Sequence, residues 1–186
     1  MKKNPFFFIT ALGLYLIIHS CKDNSSDEFF AGKTENVYYS KFNPELTFPI
    51  GVYKDSIDLY SDSKYELIFE TIADAGETGF YILPAVRGTK DLNILLEGEK
   101  NMPKALSKGD IICTCDKWSL TDSLLALYYY EYSAPHTYVT IGYWKDQKDK
   151  YLGFKYKNKL GWIMITTTVN AQLNQSLILK EFGIEK

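Results

Sequence analysis

The chain has 186 residues, 21 of them Lys or Arg and 23 Asp or Glu, for a formal net charge of −2. No block of basic residues breaks that balance, so the electrostatic footprint of a nucleic-acid binder is missing and nucleic acid is excluded as a partner. The length suits one domain with a real core and is short for two.

In chain order, Met1-Lys2-Lys3-Asn4 is a short positive region and Pro5 to Ile18 an apolar stretch interrupted by Thr10 and small residues. This is the pattern of a secretory signal. Its apolar length falls short of the roughly 20 residues of a spanning helix. Ile18-His19-Ser20-Cys21 follows and resembles the bacterial lipobox, with an aliphatic residue three before the cysteine and a small one beside it. The resemblance implies cleavage after Ser20 and lipidation of Cys21, and hence an exported protein anchored at the outer membrane or cell surface, the periplasmic face being the alternative. Residues 1–20 are therefore expected to be a signal peptide, 21–36 a lipid-anchored tether and 37–186 the folded domain. The tether reading rests on a polar run, Asp23 to Glu28 with Gly32 and Lys33, in which only Phe29 and Phe30 could pack.

Beyond it, Val, Ile, Thr, Tyr and Phe cluster in short runs bounded by Gly, Pro, Asn, Asp and Lys, which is the strand signature. The runs predict strands at Asn36 to Lys41, Leu46 to Tyr53, Lys64 to Ile72, Thr78 to Val86, Leu92 to Glu97, Asp110 to Cys115, Leu124 to Tyr132, Thr137 to Trp144, Tyr151 to Lys157, Gly161 to Thr168 and Ser176 to Phe182. Asn43-Pro44, Ala75-Gly76, Arg87-Gly88, Lys108-Gly109, Pro135, Asp146 to Asp149 and Asn158 supply turns between them. The expected fold class is all-β: an antiparallel β-sandwich, jelly-roll-like, of about ten short strands, with a barrel as the alternative. Thr121-Asp122-Ser123 could instead cap a helix over Leu124 to Tyr130, but three consecutive tyrosines suit a pleated surface better.

The last third carries Tyr151-Leu152-Gly153-Phe154, then Gly161-Trp162-Ile163-Met164-Ile165, then Ile178-Leu179-Lys180-Glu181-Phe182. These motifs resemble the ending of secreted bacterial β-sandwich lipoproteins of unknown function, in which a Y-x-G-F strand pairs with a G-W-I-x-I strand before a final strand ending in K-E-F or K-E-Y. The resemblance implies a fold and almost nothing about activity. Alternation alone puts Tyr151, Gly153 and Lys155 on one face and Leu152, Phe154 and Tyr156 on the other, and it sets Trp162, Met164 and Thr166 against Ile163, Ile165 and Thr167. The glycines beside these aromatics would let a ring lie over the neighbouring backbone. Trp162 reads as core.

Few residues suggest chemistry. Asp58 to Glu66 resembles a calcium loop of the form D-L-N-x-D-G-x-x-D: Asp58, Asp62 and Glu66 match its acidic positions, while Tyr60 and Ser63 replace a ligand and the glycine of the bend. The expected reading is a solvated acidic hairpin, with calcium as the alternative and no other cofactor. Cys113 and Cys115 flank Thr114 in an expected strand, about 6.5 Å apart at the Cα atoms. They read as buried free thiols, with a strained or intermolecular disulfide and a metal site as alternatives. His136 stands beside Pro135 without a nucleophile motif, and Glu97 and Glu99 have nothing that separates a hydrolase pair from surface charge. Tyr128, Tyr130 and Tyr132 fall on one face of their strand and are candidate ligand contacts. The function expected is a non-catalytic binding or structural lipoprotein of the cell envelope, not an enzyme. Its expected partners are the membrane, through the lipid, and a glycan or envelope protein; a carbohydrate-recognition accessory is the alternative, ahead of a glycan hydrolase.

Overall fold

The computed structural model describes residues 28–49, 53–60, 64–76, 79–89, 91–99, 101–120, 122–133, 137–169 and 175–186; side chains at 49, 53, 73–76, 79–83, 129–133, 137–141, 169 and 175 are outside the description. Cys21, Asp62 and His136 therefore lie outside the described residues, as do the side chains of Tyr130 and Tyr132.

The described residues form no helix. The first large sheet is built from β2 (Val37–Pro49), β16 (Gln175–Glu185), β15 (Lys159–Val169), β14 (Lys150–Tyr156) and β6 (Leu92–Ile94), in that order, with β9 (Ala105–Leu106) also on β14. The second runs β13 (Thr137–Ile141), β12 (Tyr129–Ser133), β5 (Gly79–Gly88), β4 (Leu67–Gly76) and β3 (Tyr53–Ile57), with β11 (Leu124–Ala126) also on β5. Two short ribbons pair β1 (Phe29–Phe30) with β10 (Ile111–Ile112) and β7 (Leu96–Glu97) with β8 (Met102–Pro103). Among the described residues, the strand pairings in the two large sheets are antiparallel, and β14, β15 and β16 follow one another as a meander.

One core lies between the large sheets. It joins Phe48, Leu152, Phe154, Ile163, Ile165, Leu179 and Ile184 of the first to Ile57, Leu67, Phe69 and Val86 of the second, giving the sandwich that the strand pattern predicted. A smaller core covers the opposite face of the first sheet, where Phe29, Ala31, Leu95, Leu106 and Ile112 pack on Tyr151, Leu160 and Trp162. The first sheet is thus buried on both sides, which explains the nearly unbroken apolar run from Leu160 to Ile165. Alternation sorted these side chains correctly: Leu152, Phe154, Ile163 and Ile165 enter the main core, Tyr151 and Trp162 the smaller one.

Several boundaries differ from expectation. The segment expected as tether joins the fold from Phe29 onward, because Phe29 and Ala31 are needed to close the smaller core. Asn43-Pro44 does not end a strand; its cis peptide lies inside β2, where the register on β16 shifts between Leu179 and Glu181. Proline fits there because a bulge leaves residues outside the ladder. The same bulge resets the alternation in β16, so that Leu177 and Leu179 share the main core with Phe182 and Ile184. The expected strand Leu124 to Tyr132 is broken at Leu127 and Tyr128, whose side chains turn into the core. The break falls opposite Pro84, whose carbonyl accepts from Leu127 N at 2.8 Å but which has no N–H to offer in return.

Candidate binding cleft

Lys157 and Asn158 form the two-residue tip between β14 and β15, with Tyr156 paired to Lys159 across it. Lys157 takes the left-handed conformation (φ 55°), and its N–H donates to the Asp91 carbonyl at 2.8 Å, which fixes the tip against the chain entering β6. The loop after β3 approaches from the other sheet. Its placement depends on Glu66, which is buried: Glu66 Oε2 accepts from Leu59 N at 2.9 Å, and the Glu66 N–H donates to the Ile57 carbonyl at 3.0 Å. Asp58 Oδ1 accepts from Tyr60 N at 3.1 Å, a local side-chain turn, while Leu59 is buried in the main core. Clamped in this way, Tyr60 meets Tyr156 with ring centroids 5.1 Å apart and planes inclined at 41°.

The result is a cleft of about 380 Å³ lined by Tyr60, Tyr156, Lys157, Asn158 and Lys159. Lys157 Nζ lies 5.0 Å from the Tyr156 ring centroid and Lys159 Nζ 5.4 Å from that of Tyr38, an exposed ring beside it. Burial, with the neighbouring Tyr156, Glu66 and Tyr38 adding to it, pushes the Tyr60 hydroxyl up to about 12, so it stays protonated and can donate at neutral pH. The cleft offers an aromatic face, hydroxyls, an amide and two ammonium groups. Such a set can hold a polar ligand that has an apolar face.

The candidates read from the sequence are distributed differently. Asp58 and Glu66 are turned onto the backbone of their own loop, and Glu66 is buried, not solvated as expected, because its carboxylate serves the Leu59 amide. Among the described residues no three His, Cys, Asp or Glu side chains gather into a possible metal site. Tyr128 is a correction: its ring is buried in the main core, where desolvation, with a smaller contribution from Asp146, holds its hydroxyl well above the usual tyrosine range, so it cannot belong to an exposed row.

Cys113 and Cys115 are a second correction, since they are disulfide-bonded with Cα atoms 5.1 Å apart. Strand β10 stops at Ile112 because Asp116 folds the chain back, its Oδ2 accepting from Cys113 N at 2.8 Å and its N–H donating to the Cys113 carbonyl at 3.0 Å. The turn brings the sulfurs together, and Cys115 is exposed, not buried. Glu97 and Glu99 are exposed.

Tyr60, Tyr156, Lys157 and Lys159 were not singled out as site residues from the sequence. Two signals pointed there: a tyrosine where a calcium loop would carry a ligand, and a hairpin tip flanked by lysines where Asn-Gly would be the usual choice. Comparison of the chain with family models, with curated proteins and with solved structures finds no match.

Proposed function

We propose that this chain is an exported lipoprotein, held through Cys21 at the outer membrane or cell surface, whose β-sandwich binds a saccharide and performs no chemistry on it. The observation that carries the binding role is the Tyr60–Tyr156 cleft with its lysines and amide. A sugar ring has an apolar C–H face that stacks on an aromatic ring and a rim of hydroxyls that hydrogen-bond to amide, ammonium and phenol groups, so the lining is chemically matched to it.

Anchoring through lipid is supported by the positive and apolar leader and by Ile18-His19-Ser20-Cys21. Glu28, the first described residue, lines the two hollows that adjoin the cleft at Asn158. From Cys21 to Glu28 the chain can extend at most about 25 Å, at roughly 3.5 Å per residue. An anchor at Cys21 would therefore keep the cleft close to the bilayer and within reach of envelope glycans.

Both parts are testable on the full chain. Metabolic labelling with a clickable fatty acid should mark the wild type and leave Cys21→Ser unlabelled; labelling that survives the substitution removes the anchor. In detergent, the wild type should bind envelope oligosaccharides and Tyr60→Ser should not, with circular dichroism confirming that the variant is folded. Retained binding by a folded Tyr60→Ser protein would remove the cleft from the reading.

A further inference from the structure

Three hollows meet at Asn158, and their charges differ. The one beside the disulfide, about 490 Å³, is faced by Glu28 and Glu185, with no cation among its described lining residues. The one toward β1, about 560 Å³, mixes Glu28, Glu35 and Glu185 with Lys33, Lys159 and Lys186. The cleft at Tyr60 has Lys157 and Lys159 and no carboxylate among its described lining residues. An anion arriving at this end of the molecule is thus repelled from the first hollow, finds compensated charge in the second, and is attracted to the third.

The two lysines also differ from Lys180 and Lys41 in what their charge faces. Lys180 faces Asp149 at 2.8 Å and Lys41 faces Glu181 at 3.7 Å, pairs in which the ammonium charge is compensated. Lys157 and Lys159 rest over the Tyr156 and Tyr38 rings, contacts that orient an ammonium without neutralising it. Glu66, whose charge reaches the Tyr60 hydroxyl, is buried and accepts from the Leu59 amide, and it is not among the described residues that line the cleft.

Resting on the saccharide-binding role proposed above, we infer that this cleft selects acidic saccharides, with a sugar face on the Tyr60 ring and a carboxylate or sulfate group met by Lys157 and Lys159. Tyrosine stacking supplies affinity for sugar in general, and the lysines supply the discrimination. A neutral sugar would cover the two ammonium groups without offering either a charged partner, which is the asymmetry that makes polar sites selective.

The experiment uses the full chain in detergent at low ionic strength and titrates hexamers of galacturonate and of sulfated galactose, neutral maltohexaose and cellohexaose, and phosphatidylglycerol vesicles. The acidic hexamers should bind, and the neutral ones should bind about tenfold or more weakly by comparison, as expected when charge-assisted contacts are lost. Lys157→Gln and Lys159→Gln should each weaken acidic binding by about tenfold and flatten its salt dependence. Lys157→Gln keeps a residue of similar backbone preference at the left-handed position, and both sites are at the surface, so folding is not at issue. Equal binding of acidic and neutral hexamers, or unchanged binding by both lysine variants, overturns the acidic selectivity and leaves the saccharide role standing. Binding of no hexamer overturns both, and lysine-dependent binding to the vesicles alone assigns the anion to lipid headgroups instead.

Discussion

The ring of Phe154 fills the space that a β-carbon would need at Gly161: its Cζ lies 2.3 Å from where that atom would stand, and the two residues are directly paired between β14 and β15. The ring is fully buried in the main core, so it can retreat only by disturbing the side chains packed around it. Gly161→Ala should therefore force a shift of ring or strand and cost about 1–3 kcal/mol, as overpacking does. Denaturant melts of Gly161→Ala and of Gly161→Ala with Phe154→Leu check this. The smaller side chain should recover part of the loss, giving a coupling energy that two independent sites would not show.

A second expectation concerns the disulfide. Cys113 and Cys115 close a loop so short that little chain entropy is removed by the bond, roughly 1.5 kcal/mol in the chain-entropy treatment. Asp116 holds the same turn through the Cys113 amide without help from the sulfurs. Replacing both cysteines by serine should lower stability by no more than about that amount. Alkylation of the wild type without reductant should label neither Cys113 nor Cys115, and labelling of either would contradict the bond.

Much of the architecture was legible because a strand repeats every two residues. That period alone assigns Leu152, Phe154, Ile163 and Ile165 to one face and Tyr151 and Trp162 to the other, as the two cores have them. Local patterns cannot report a bulge, however, since the shift at Lys180 depends on what β2 does opposite it. Nor did high β-propensity at Cys113-Thr114-Cys115 show that Asp116 would end the strand. The cleft was the least legible part. It needs Tyr60, in the loop after β3 of one sheet, to land on Tyr156 of the other, and that placement is fixed by the core and by buried Glu66, not by either residue's own segment.

Asp149 and Lys180 provide a pH-dependent contribution whose sign can be worked out. The Lys180 ammonium, 2.8 Å away, and the Thr166 hydroxyl hold the Asp149 carboxyl below the usual range, against a smaller opposing effect of burial. A carboxylate depressed in the folded state stabilises the protein above its unfolded pKa of about 3.9, and that contribution fades as pH falls through the folded value. The Asp149 side chain is 42% exposed, so the pair should contribute only about 0.5–1 kcal/mol at neutral pH. Lys180→Met should melt lower than wild type at pH 7, with the gap narrowing below about pH 4. A gap independent of pH would assign the effect to lost packing of the lysine stem.

Trp162 should be the most stability-critical ring on the outer face of the first sheet. It has no exposed surface, meets Tyr151 edge-on with centroids 5.2 Å apart, and lies over Gly183, where a β-carbon would stand 2.8 Å from its Cε2. Its Nε1–H donates to the Lys33 carbonyl at 3.2 Å, tying the segment between β1 and β2 to the sheet. Trp162→Ala removes ring and hydrogen bond together and should cost about 3–5 kcal/mol, a large share of the roughly 5–15 kcal/mol available to a domain. Trp162→Phe keeps an aromatic fill and loses the Lys33 bond, so its cost should be smaller. Both variants should become susceptible to limited proteolysis at Lys33, because the carbonyl that anchors that segment has lost its donor. A Trp162→Ala protein that melts like wild type and resists cleavage at Lys33 would refute the core role and assign the hold on the β1 segment to Phe29, Ala31 and the pairing of β1 with β10.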